Sequence, residues 1–240
     1  MIEEYFDKFK GEAAFVLGAG PSLRKLTPDL ISRMPVTIAM NSAILKVPDP
    51  HFYISTDPHV TLCKSWETVI NSTCIIVQSG ASFRYYEKFT GINPIAKISK
   101  SRILKFYRDK ENGLDMIMKK TGLHIHGSSS AFSAVHFAYL LGCSPIILIG
   151  CDCCCEDGKK HFFDFPGQPQ ESHKSEYRKF VSVPHPWRGD TSKHLDSHLK
   201  GWRKLRQQNP NVNIINASGG LIDVFPMMSI DEVLERYCKK

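Results

Sequence analysis

The sequence predicts an α/β fold in which a mainly parallel sheet carries helices on both faces. Three observations lead there. Apolar runs of strand length recur along the chain, helical patterns separate several of them, and small-residue turns stand where strand should give way to helix. The strand runs are 14–17, 36–40, 52–55, 74–78, 145–149 and 212–215. An amphipathic helix over 129–141 follows a run of serines suited to N-capping. Within it Phe132, Val135, His136, Tyr139 and Leu140 recur at three- and four-residue spacing, and Gly142 ends it. A helix over 192–207 comes next, and a last one opens at Ser229-Ile230-Asp231-Glu232, whose Ser and Glu fit a capping box. Between 79 and 122 the pattern is weak and basic, and from 164 to 190 it is rich in Pro, His and charge. Segments of this kind in a compact enzyme serve as lids or binding loops.

With 240 residues, 42% of them hydrophobic, the chain can bury a substantial core. It reads as a single nucleotide-binding domain over 1–240, with a basic lid or acceptor loop near 159–190. No apolar run reaches the roughly 20 residues of a bilayer span, and the start Met1-Ile2-Glu3-Glu4-Tyr5 is acidic where a signal peptide would be basic. A cytoplasmic location is expected. Four of the eight cysteines crowd into 151–155, at the end of an apolar strand, where neighbours cannot all reach disulfide partners. Reduced thiols acting as small hydrophobes, with no metal, are expected there; the His194 and His198 pair lies far along the chain on its own helix.

Charge is uneven. Of a formal net charge of +7, most falls between Lys159 and Arg206, where 11 Lys and Arg face 5 Asp and Glu and where 5 of the 10 histidines lie. Such a segment draws an anionic partner: a glycan, a protein or a nucleic acid. Assembly into a homo-oligomer is compatible with the sequence.

Two turns carry the chemistry. Gly18-Ala19-Gly20-Pro21-Ser22 follows the first strand, and Gly127-Ser128-Ser129-Ser130 opens the helix that leads to the strand ending in Gly150-Cys151-Asp152. Glycine lets a backbone approach an anion, and the free N–H groups of a helix start attract one, so both turns suit phosphate. Neither is a P-loop, since no Gly-Lys-Ser/Thr follows, and the first lacks the third glycine of the dinucleotide fingerprint. Asn41 and Ser42 follow the second strand and Asp57 the third. In an open parallel sheet such strand ends meet at the carboxyl edge, where ligands bind. Asn41 suits a base or ribose, Asp57 a ribose hydroxyl.

Taken together, the 18–22 turn with Leu23, Pro48-Asp49 to Asp57, Ser129-Ser130 with Ala134, Ala138 and Leu141-Gly142, Ile147 to Gly150, Asp152, Asp157-Gly158-Lys159-Lys160-His161 and Asn216-Ala217-Ser218-Gly219-Gly220 resemble a known family. That family joins bacterial motility-accessory glycosyltransferases with MptE-like hydroxymethylpterin pyrophosphokinases. The order of elements also resembles, more distantly, small bacterial sialyltransferases that use CMP-activated sugars. The resemblance implies a Rossmann-like fold and metal-independent, inverting sugar transfer from a nucleotide-activated donor. It places nucleotide and phosphates at Gly18, Ala19, Gly20, Pro21, Ser22, Asn41, Ser42, Asp57, Ser128, Ser129, Ser130 and Asp152, with no tightly bound cofactor. Where those sialyltransferases hold the leaving phosphate with tyrosines, this chain offers His161, Phe162 and Phe163. The pyrophosphokinase branch implies magnesium and ATP, and more acidic residues than this chain shows.

Sugar transfer needs an acceptor hydroxyl deprotonated during attack and a leaving phosphate stabilised as charge builds. His185, between Pro184 and Pro186, suits the first task and Arg188 the second, with His161 as a donor to the phosphate; His173 and His194 are other candidate bases. Trp187 and Trp202 offer stacking surfaces or core packing. A nucleotide- or nucleic-acid-binding protein without catalysis is the alternative of a different class, although no RNA-binding or helix-turn-helix signature is present.

Overall fold

The computed structural model describes residues 2–56, 58–79, 87, 93, 96, 98–99, 102–106, 116–118, 129–172 and 191–238. Seven strands form one sheet: β1 (Ala14–Leu17), β2 (Val36–Met40), β3 (Phe52–Ser55), β4 (Ile75–Ser79), β5 (Ile103–Phe106), β6 (Ile146–Ile149) and β7 (Ile214–Asn216). Every pairing is parallel, in the order β5-β4-β3-β2-β1-β6-β7. This is the Rossmann-like α/β fold that the sequence predicts, with one strand more. β5 lies inside the weak, basic stretch, where four residues bearing a lysine give too short a pattern to stand out. Pairing with β4 makes it a strand.

Alternate residues of the central strands serve opposite faces, as a pleat requires. Val16, Ile38, Ile54 and Leu148 pack under helices α3 (Ser130–Leu140) and α4 (Thr191–Gln208). Phe15, Leu17, Ile147 and Ile149 pack on the opposite face with Leu23, Leu26, Phe162 and, from helix α5 (Ile230–Tyr237), Val233 and Leu234. The remaining described α-helices, α1 (Pro28–Ser32) and α2 (Ser65–Asn71), are short. The Ser229 to Glu232 capping box forms as predicted, each residue bonding the other's backbone N–H.

Helix α3 corrects the expectation of an amphipathic element. It is buried all round save Ala131 and Tyr139, because sheet, α4 and the N-terminal segment enclose it. The last of these contacts has a backbone logic. Asp7 and Phe9 N–H donate to Leu140 and Leu141 C=O at 2.9 Å, and Gly11 N–H donates to Gly142 C=O at 3.0 Å, so residues 7–11 satisfy carbonyls that a helix end leaves without partners. Gly142, at φ +79°, makes the turn that a side chain would block by striking Asp7 at 2.7 Å.

Candidate functional site: the crevice at the carboxyl edge

The chain runs to one side of β1 through β2 to β5 and to the other through β6 and β7, so strand order reverses between β1 and β6. At such a switch point the loops leaving the two strands diverge and open a crevice at their carboxyl ends. The loop after β1 is the 18–22 turn and the loop after β6 begins at Gly150. The predicted phosphate turn therefore sits where the topology makes room for a ligand.

Its local geometry is that of a lock between the two loops. Gly18 and Gly20 N–H donate to Ile149 and Gly150 C=O at 2.8 and 2.9 Å. Gly150 N–H donates to Ser22 Oγ at 2.9 Å, while Ser22 N–H and Oγ–H donate to the two oxygens of Asp152 at 3.0 Å each. The glycines are required by this approach. A Cβ on Gly18 would lie 2.3 Å from Gly150 O, and one on Gly20 would lie 2.1 Å from Asp152 Oδ2. Gly20 has φ −70°, an ordinary value for any residue. Its missing side chain makes room for the Asp152 carboxylate, whose space a Cβ there would take. Pro21 takes the first position of the 3-10 turn Pro21–Lys25, where its lack of an N–H costs nothing. Within the turn the Ala19 N–H has no partner among the described residues, and Ala19 C=O accepts from Phe162 N–H at 3.0 Å.

A second cluster lies at the ends of β2 and β3. Asn41 adopts φ +50°, a left-handed conformation that asparagine tolerates better than most residues. Its Oδ1 accepts from Ser55 Oγ at 2.8 Å and from Ser130 Oγ at 3.3 Å. Ser130 Oγ in turn accepts the Thr56 N–H at 3.0 Å. With its oxygen occupied, Asn41 has only the amide nitrogen to offer a ligand, as a donor. Ser129 caps α3 by accepting the Ala131 N–H at 3.2 Å. Ser42 is engaged elsewhere: its hydroxyl donates to Glu171.

Beyond Asp152 the chain forms a tight hairpin. Glu156 and Lys159 exchange backbone bonds at 2.9 Å around Asp157-Gly158, both at positive φ, the signature of a type I′ turn. Arg24 clamps this hairpin to the first turn through both oxygens of Glu156 and lies over the Phe165 ring at 4.3 Å, as Lys159 does at 4.5 Å. His161 follows and stacks on Phe163 at 4.7 Å. It caps the short 3-10 turn Phe162–Asp164, and its own N–H donates to Asp164 Oδ2 at 2.8 Å. Loss of hydration pushes its pKa below the usual histidine value, and Asp164 opposes that shift.

The structure thus brings Gly18, Ala19, Gly20, Pro21, Ser22, Asp152 and His161 around one crevice and joins Asn41 to Ser130 beside it. Asp57, Ser128, His173, His185, Trp187 and Arg188 lie outside the described residues, and the side chain of His194 does also. Trp202 is 1% exposed and packs edge-on to Phe132 and Phe225, so of its two predicted roles it fills the core one. All eight cysteines are free thiols. Burial raises Cys151 far above the usual thiol value and Cys153 to about 11, which keeps both protonated at neutral pH. Among the described residues no group of three or more His, Cys, Asp or Glu is placed to hold a metal ion. No described helix is long and apolar enough to cross a membrane. Sequence reasoning passed over Arg24, Glu156 and Glu171; only the Asp157-Gly158 turn signal hinted that the hairpin bearing Glu156 would exist.

The fold is that of a parallel α/β protein, with the 18–22 turn and the loop after β6 meeting at its topological switch point. The chain belongs to the MptE-like family: the model described as 6-hydroxymethylpterin diphosphokinase MptE-like matches residues 1–158. No curated protein gives a match. Among solved structures the chain is similar to a MAf glycosyltransferase from Magnetospirillum magneticum AMB-1, at 12% identity and a TM-score of 0.49 over 95% of this chain. The chain spans 37% of that protein's length.

Proposed function

We propose that this protein is a cytoplasmic glycosyltransferase that takes a sugar from a nucleotide-activated donor without a metal ion. The donor's phosphate side lies at the 18–22 turn and its nucleoside by Asn41, Asp57 and Ser128 to Ser130. The acceptor enters beneath the basic segment near 159–190. The observation that carries the metal-free reading is the state of Asp152. It is a buried carboxylate against the 18–22 turn, and each of its oxygens already accepts a bond from Ser22. Among the described residues the Ala19 N–H and the Asn41 amide nitrogen have no acceptor, and such donors suit an anion or a carbonyl directly. In this reading His185 takes the acceptor proton, and Arg188 and His161 meet the charge that builds on the leaving phosphate.

The family model favours a second reading, transfer of diphosphate from ATP to a pterin alcohol with magnesium. Magnesium is held by one or two carboxylates and the substrate phosphates. Among the described residues Asp152 already holds Ser22 and Glu156 is paired with Arg24, so magnesium would have to share or displace those bonds. A thermal-shift screen of CMP, UDP, GDP, ADP and ATP, with and without magnesium, separates the readings, because a ligand of the native state raises the midpoint by mass action. Stabilisation by a nucleotide without metal supports sugar transfer. A response confined to magnesium-ATP supports diphosphate transfer, and no response supports a role without nucleotide. His185→Ala is expected to lower turnover by about 10² to 10⁴ with donor affinity unchanged, which tests the base.

A further inference from the structure

Asp152 joins three loops. Its carboxylate receives Ser22 of the loop after β1, it stands in the loop after β6, and its C=O accepts the Leu221 N–H at 2.8 Å from the loop after β7. Two glycines admit it: a Cβ on Gly20 would meet its carboxylate, and one on Gly220 would lie 2.0 Å from its carbonyl oxygen. The chemistry of Ser22 explains why an acid stands there. Because Ser22 Oγ accepts the Gly150 N–H, the hydroxyl proton must go outward, and with the Ser22 N–H it makes two donors aimed at one group. A carboxylate supplies two acceptors and no donor, which an asparagine cannot.

We propose that Asp152 is a positioning residue: through Ser22 it fixes the 18–22 turn in the conformation that leaves the Ala19 N–H without a partner among the described residues, and so sets the affinity of the crevice for a phosphate-bearing ligand. This rests on the nucleotide reading above and changes the part that Asp152 plays in it. The carboxylate and Ser22 satisfy each other and neither contacts the phosphate. The turn then offers an anion one backbone donor rather than a ring of them.

Energetics point the same way. Burial raises the Asp152 pKa, the bonds from Ser22 oppose the rise, and Glu156 adds repulsion. A carboxyl whose folded pKa is raised contributes most to stability below the ordinary carboxylate pKa, and that contribution is lost as pH rises through the raised value. The folded state therefore favours the ionised form less than the unfolded state does. Asp152→Asn removes the charge while keeping one acceptor for Ser22.

The test is a cycle of Asp152→Asn, Ser22→Ala and the double variant, read by melting temperature and by affinity for whichever of CMP, UDP, GDP, ADP or ATP most stabilises the wild type. Asp152→Asn is expected to keep or raise the melting temperature and to weaken binding by about tenfold. The double variant is expected to bind no worse than the weaker single, since both changes break one lock. Wild-type affinity in Asp152→Asn, or losses that add, would overturn the proposal. A ligand-free readout accompanies it: the Ser22 amide proton, held by a charge-assisted bond, should move upfield in Asp152→Asn, and an unmoved resonance also overturns the role. If the wild type binds none of the five nucleotides, the nucleotide reading fails, and the Ser22 resonance alone decides whether Asp152 sets the turn.

Discussion

Two regions of the sheet are held by different means. At β1 and β6 the loops are locked by backbone approach, with Gly18 and Gly150 packed against each other and a buried carboxylate bonded to Ser22. At the amino ends of β4 and β5, and in the loops after β2 and β3, the holding is done by long polar side chains. Arg102 donates to the carbonyls of Val69, Ile70 and Cys74 and to Ser72 Oγ, which closes the end of α2. Glu171 accepts from Ser42 Oγ and from Ser65 and Ser172 N–H, and Lys46 Nζ donates to Gln168 at 2.9 Å, so residues 168–172 are tied across the loops after β2 and β3. Backbone packing fixes one geometry, since a close contact cannot yield. Side-chain ties tolerate adjustment, since each is one rotamer among several. The rigid half is the one that lines the switch-point crevice.

The comparison can be broken most sharply at the rigid half. Gly18→Ala places a Cβ 2.3 Å from a carbonyl that has nowhere to move, and the expected loss is about 3 kcal/mol in urea denaturation. A loss under about 1 kcal/mol would show that the lock yields after all. Arg102→Ala should cost about 2 kcal/mol, because several carbonyls lose a charged donor at once and water replaces it in part. Glu171→Ala should cost about 1 kcal/mol by the same measurement, with limited proteolysis concentrated at 165–172. Equal costs for Gly18→Ala and Glu171→Ala would erase the distinction between the two halves.

Smaller effects sharpen it. The His161 imidazole titrates below the usual histidine value because it is partly stripped of water, so the folded state favours its neutral form. The stability it contributes is full above the ordinary histidine pKa and is lost as pH falls through the lowered one. His161→Gln should flatten the stability profile below the ordinary histidine pKa of about 6.5, and a proton NMR titration of the ring gives the midpoint directly. The smallest effect expected is from chelation: EDTA should move the melting temperature by less than about 1 °C, since protonated, buried thiols at Cys151 and Cys153 are not metal ligands.

What the sequence determined by itself was local. β1, β2 and β3 are apolar runs read to the residue, α3 is marked by its serine cap and terminal glycine, and α5 by its capping box, because each signal lies within a few residues of the structure it causes. The carboxyl-edge placement of the 18–22 turn followed from strand alternation alone. Tertiary structure decided the rest. That Asn41 Oδ1 would be taken by Ser55 and Ser130, and Ser42 by Glu171, depends on chain segments up to 129 residues apart. The pairing of Ser22 with Asp152 spans 130 residues. No periodicity encodes such a contact. It exists because parallel pairing of β1 with β6 brings two strand ends together, and because glycines at 18, 20 and 150 let their backbones close to hydrogen-bonding distance.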